Sequence, residues 1–143
     1  MSVTWTVSHP ARLIVAVGKE EVTSTDILYC ADEFANNGIN AYRKLFDLTR
    51  IARTMPQADM QLVGKRMGAR AAGQAFGPIA IVVSSGVIAG SAKIFQETAT
   101  EPEAAKRPVR IFRDLYAARA WLDEIAPPEG IAPPDQALPA IDP

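Results

Sequence analysis

The chain opens with Val3, Trp5 and Val7 alternating with Thr4, Thr6 and Ser8. A period of two sends successive side chains to opposite faces of an extended strand, so the apolar set marks a buried face. His9, Pro10 and Ala11 form a turn signal, and "RLIVAV" (residues 12–17) reads as a second strand, so the two predict a hairpin. The period then lengthens. Ile27, Cys30, Ala31 and Phe34 recur at three and four residues and define one stripe of a helix over 23–38. Thr23 and Asp26 have the spacing of a capping box at its start, and Asn36, Asn37 and Gly38 supply its stop.

"YRKLFDLT" (42–49) reads as a third strand ending about Asp47, followed by a short link. Pro56 suits the first turn of a second helix, where a missing N–H costs little. That helix, "ADMQLVGKRMGARAAGQAFG" (58–77), places Met60, Val63, Met67 and Ala71 on one side and Lys65, Arg66 and Arg70 outside them. "IAIVV" (79–83) has no polar alternation, as expected of a strand buried on both faces. A third helix over 86–100 turns Ile88, Ala92 and Phe95 inward. "VRIF" (109–112) is a fifth strand, and Asp114 caps a fourth helix over 115–125 with Leu115, Ala118, Trp121, Leu122 and Ile125 facing in.

The expected fold is a single small α/β domain: a five-stranded mixed sheet with an N-terminal β-hairpin and four helices, in the order β-β-α-β-α-β-α-β-α. The later strands should be parallel, with right-handed crossovers. The domain is expected over residues 1–126. Residues 127–143, which hold six of the eleven prolines, are expected to be an extended or disordered tail.

Composition adds mainly exclusions. A formal net charge of -1 and a pI near 5.8 give no general attraction to nucleic acid, and the basic residues fall in short clusters without interleaved aromatics. No apolar run reaches the roughly 18 residues that span a bilayer, and no secretory signal is visible, so a cytoplasmic location is expected. The single cysteine, Cys30, excludes an intrachain disulfide and reads as a buried thiol.

No metal motif is present, and no catalytic set is assembled. His9 is the only histidine and sits in a turn, expected to face solvent. Asp47, Asp59 and Asp114 have plain roles as strand-end, first-turn and cap residues. Ser91 and Lys93, two apart on a helix, point about 200° apart and do not pair. No cofactor is expected. The softest binding signal is "VVSSGVIAGSAK", a buried strand running into a helix N-terminus. Ser84 or Ser85 would cap that helix. Alternatively Ser84, Ser85, Gly86, Gly90, Ser91 and Lys93 would bind an anion or polar ligand there.

The segments "RLIVAVGKEEVTSTDI", "YRKLFDL", "GPIAIVV", "AGSAKIFQ" and "VRIFRDLYAARAWL" together resemble the SpoIIAA-like proteins of the STAS superfamily, which are related in shape to SEC14-type lipid-binding modules. The resemblance covers residues 3–124. It implies a strand ending in Asp47, then a loop that in the bacterial anti-sigma antagonists carries a phosphorylatable serine. Here that loop reads "TMPQAD" (54–59), and Thr54 is its only hydroxyl. The expected function is therefore a noncatalytic regulatory or protein-interaction domain without the phosphoswitch, docking through Asp47, Thr54, Met55, Gln57 and Met60. Exposure of Met55 or Met60 would favour it. The alternative is a small-molecule or lipid-binding module with an apolar pocket between sheet and helices, near the fourth strand and third helix. An enzyme ranks third. Expected partners are a protein or a small apolar or anionic ligand, with a homodimer through a sheet edge or the second helix as a further expectation.

Overall fold

The structure, a computed structural model, describes residues 2–53, 55–71, 76–84, 86–99 and 108–134. The elements run β1 (Val3–Ser8), β2 (Leu13–Glu21), α1 (Ser24–Asn36), β3 (Arg43–Arg53), α2 (Gln57–Ala71), β4 (Ile79–Val82), α3 (Gly86–Ala99), β5 (Val109–Phe112) and α4 (Leu115–Ile125). The five strands lie side by side in chain order in one sheet. β1 pairs antiparallel with β2, and every later pair is parallel. This is the α/β order expected from the hydrophobic pattern.

Strand alternation divides the core into two layers. On one face, Leu13, Leu45, Ala80 and Val82 pack under Ala118 and Leu122 of α4. On the other, Ile14 and Ala16 meet Cys30 and Phe34 of α1, while Ile79, Ile81 and Val83 meet α2 and α3. All four residues of β4 are buried, as a strand covered by helices on both faces requires. Trp5 completes the α1 side, edge-on to Phe34 at 5.5 Å between ring centroids.

Local signals explain the helix ends. Thr23 Oγ1 accepts from the Asp26 amide at 3.2 Å, and the Asp26 carboxylate accepts from the Thr23 amide at 3.0 Å. Burial raises the Asp26 pKa, but the hydrogen bonds from Ser2 and Thr23 outweigh it and hold the carboxyl below its ordinary value. Gly38, at φ 66°, stops α1 in the left-handed region. Asp114 caps α4 by accepting from the amides of Tyr116 and Ala117.

Two expectations need correction. β3 does not end near Asp47 but continues to Arg53, so most of the supposed link is strand. Leu115 is 46 % exposed and Ile125 is 40 % exposed, so the buried side of α4 is narrower than its apolar spacing suggests. Leu115 opens the helix beside β5, where among the described residues no further strand extends the sheet.

Pro128–Gly130 form a 3-10 turn and Ile131 packs against the α1 cluster. The Ile131 carbonyl accepts from Arg12 Nε at 3.3 Å. The rest of the proline-rich segment, 135–143, lies outside the described residues. Among the described residues no helix is long and apolar enough to cross a membrane.

Candidate functional site

β4 pairs with β3 only from Lys44 to Asp47, so the last six residues of β3 run past the end of their neighbour. On the other side they stay paired with β2, but the register slips twice. Val17 faces Asp47 while Lys19 faces Arg50, and Glu20 faces Ile51 while Glu21 faces Arg53. Each slip leaves an extra residue on β3, as in a bulge, and bulges bend and twist the strand that carries them. Glu20 itself takes a positive φ of 61° at the second slip. Gly18 occupies the first. A Cβ there would sit 2.8 Å from Val22 Cγ2 and 3.1 Å from Leu48 Cδ2, so the close approach of these side chains depends on glycine.

Asp47 braces the first slip. Its Oδ1 accepts from the Thr49 amide at 3.0 Å and from the Thr49 hydroxyl at 2.6 Å. Ser84 Oγ donates to the Thr49 carbonyl at 3.2 Å, tying the end of β4 to the same point. Both side chains thus serve the overhang of β3.

Under this overhang lies a partly open cavity of about 70 Å³. On that scale a single water needs about 10–15 Å³, so the space exceeds any packing defect of one methyl group. Its floor is the sheet, through Val3, Gly18, Phe46, Leu48 and Ile51. α1 contributes Ile27 and Cys30, and α2 contributes Met60. α3 closes it with Ile88, Ala92 and Phe95, and Met55 enters from the segment before α2. The walls are almost wholly apolar. Ser91 and Arg53 are among the lining residues, but polar atoms make up almost none of the cavity surface.

Burial pushes the Cys30 thiol up to about 11, with the Asp26 and Glu33 carboxylates adding to it. A thiol held protonated in an apolar wall is a packing group and a poor nucleophile. Among the described residues no group of histidine, cysteine and carboxylate side chains could hold a metal ion. Asp47, Asp59 and Asp114 come from separate parts of the chain, and Asp114 is occupied as a cap. His9 is exposed, and its Nδ1 lies 2.7 Å from the Tyr42 hydroxyl.

The sequence-predicted residues distribute unevenly. Of the set from Ser84 to Lys93, Ser91 lines the cavity; Ser84 bonds to β3, while Gly86, Gly90 and Lys93 are exposed. Nothing lies within 4 Å of a Cβ built on Gly86 or Gly90, so no close approach uses them. Ser85 and Thr54 lie outside the described residues. Of the second set, Met55 and Met60 are 7 % and 8 % exposed and line the cavity instead of a surface, while Gln57 is exposed. The structure therefore joins Met55, Met60 and Ser91, drawn from two separately expected sites, in one chamber.

Ile51 and Arg53 were missed as lining residues because they fell in the supposed link, and Leu48 because it stood at the expected end of the strand. The spacing of three between Leu48 and Ile51 hides strand periodicity, since each slip inserts one residue into the alternation. The β-branched Thr49 and Ile51 were the available hint.

Comparison with protein-family models, with curated proteins and with solved structures finds no match.

Proposed function

We propose that this protein is a noncatalytic module that binds a small apolar ligand between its sheet and the helices α1, α2 and α3. One observation carries the reading: a partly open chamber whose walls are apolar over nearly their whole extent. Ligand sites are concave and lined mainly by apolar side chains, and this chamber is both. An empty apolar cavity also costs stability, which a ligand restoring the missing contacts would offset.

The alternative of a docking surface around residues 47–60 loses its apolar anchors, since Met55 and Met60 are buried. The kinship with SpoIIAA-like and SEC14-type modules remains part of the proposal. The element order and the single antiparallel pair at the sheet edge support it.

The test is titration with the neutral fluorophore N-phenyl-1-naphthylamine, alongside native mass spectrometry of freshly purified protein. Saturable fluorescence enhancement at one site per chain, lost in Ala92→Phe, is expected. A flat titration together with a bare-chain mass would overturn the proposal.

A further inference from the structure

We infer that β1 is a dimerisation edge: the Val3–Ser8 strands of two copies of this chain pair antiparallel across a two-fold axis and join their sheets into one.

Among the described residues β1 pairs with β2 alone, so its outer side is an edge of the sheet. The direction of its backbone groups follows from one bond. The Lys19 amide donates to the Ser2 carbonyl at 2.9 Å, one step beyond the Val3–Gly18 pair. Hydrogen-bonded pairs alternate along an antiparallel ladder, so Thr4–Val17, Thr6–Val15 and Ser8–Leu13 are the others. The N–H and C=O groups of Val3, Trp5 and Val7 therefore point away from β2, and nothing among the described residues bonds to them.

Native sheets guard such edges with charge, proline, bulges or brevity. The opposite edge is guarded in this way. β5 has four residues, the exposed Arg110 among them, and Pro108 precedes it. β1 has six, "VTWTVS", with no charge and no proline, and its register to β2 runs without a slip. Apolar surface adjoins it as well. Tyr29 of α1 is 46 % exposed, and its ring lies 6.2 Å from that of the half-buried Trp5.

A second copy fits this edge on both faces. With Trp5 on the axis, Val3 stands opposite the partner's Val7 and Trp5 opposite the partner's Trp5, and each pair exchanges two N–H···O bonds. Every outward backbone group of these residues is then satisfied. On the other face Thr4 meets the partner's Thr6, with Cβ atoms about 5 Å apart. Neither row carries a charge that its copy would repel. The contact is isologous, so it consumes both β1 edges and closes, and the guarded β5 strands are left at the ends of the joined sheet.

The test is sedimentation velocity on a dilution series of the full chain, with far-UV circular dichroism on each variant. Wild type is expected at the mass of two chains, falling to one on dilution. Thr4 and Thr6 are exposed, so charges can be placed there without entering the core. Thr4→Lys/Thr6→Lys sets lysine against lysine at both cross-strand positions and should raise the dimer Kd about tenfold. Thr4→Lys/Thr6→Glu sets lysine against glutamate in the same register and should dimerise at least as well as wild type. A single-chain mass for wild type at every concentration would leave the edge to some other strand and overturn the inference. A dimer equally strong in both variants would place the contact elsewhere, and equal loss in both would refute the antiparallel register.

Discussion

The cavity can be tested against solid core by a matched pair of substitutions. Ala92 in α3 is 2 % exposed and lines the chamber, whereas Ala118 in α4 is 0 % exposed and packs among Leu13, Leu45, Ala80, Val82 and Leu122. Ala→Leu adds three carbons at either position. Where space accepts them, burial contributes about 0.8 kcal/mol per carbon, about 2.4 kcal/mol in all. Lost leucine rotamer freedom takes away roughly 0.5–1 kcal/mol. Ala92→Leu should therefore stabilise by about 1–2 kcal/mol. Ala118→Leu meets a filled layer and should destabilise by about 1–3 kcal/mol through overpacking. Helix propensity changes equally in both and cancels. With a urea slope of about 1–3 kcal/mol per molar, the two midpoints should separate by roughly 1 M or more. Equal destabilisation at both sites would refute the reasoning, because it would mean that no usable space exists beside Ala92.

Three further outcomes follow from the contacts. Thr23→Ala removes half of the capping box and should cost about 1 kcal/mol in urea unfolding; a loss below a few tenths would show that the box is idle. The bond from Arg43 to Asp123, at 2.5 Å, is the main cause that lowers the Asp123 pKa, so its contribution is present above the ordinary value of 3.8 and is lost as pH falls through the lower folded value. Asp123→Asn should weaken that acid step and cost roughly 1–2 kcal/mol at neutral pH, less than a fully buried pair because Asp123 is half exposed. Arg43→Met should cost less than Asp123→Asn, since it removes a buried charge whose Nε has no partner; the reverse order by urea unfolding would contradict this. Cys30, with its thiol raised to about 11, should alkylate with iodoacetamide at pH 8 far more slowly in native protein than in urea, and matching rates would show it accessible.

Most of the fold was legible because each element carries one clean period. Val3, Trp5 and Val7 alternate over an uninterrupted strand, and the structure buries or half-buries all three. "IAIVV" is apolar at every position, and the structure covers both of its faces. The capping box at Thr23 is a four-residue signal and needs nothing beyond its own turn. The candidate site was much less legible. Its floor lies where β3 departs from regular pairing, and a slip in register is set by the neighbouring strand, not by the residues that slip. Arg53 drew no reading from the sequence, since its place in the lining depends on β3 running six residues past its pairing with β4. Met55 and Met60 were assigned to a docking surface, although Met60 also fell on the apolar side of the second helix. The fold turns them inward under an overhang that their own sequence does not announce.

The same overhang accounts for why a chamber sits in so small a domain. A parallel strand buried between two others is filled on both faces by the regular spacing of its neighbours. Past Val82 that neighbour is missing on one side of β3, and the helices α2 and α3 must span a floor that curls away beneath them. Closing the gap would need larger side chains at Gly18, Ala92 and Ser91, the small residues of the lining. Gly18 has no room for a Cβ, so the gap cannot be filled from the bulge itself. At about 24 cal/mol per Å³ for an enclosed void, a space of about 70 Å³ costs at most about 1.7 kcal/mol, and less through its open side. That is a sizeable share of the roughly 5–15 kcal/mol by which domains are stable. A ligand present at a hundred times its Kd adds about 2.7 kcal/mol to the folded state, more than the void removes. The proposed occupant would therefore restore what the bulged strand forfeits, and a domain built this way should be most stable when filled.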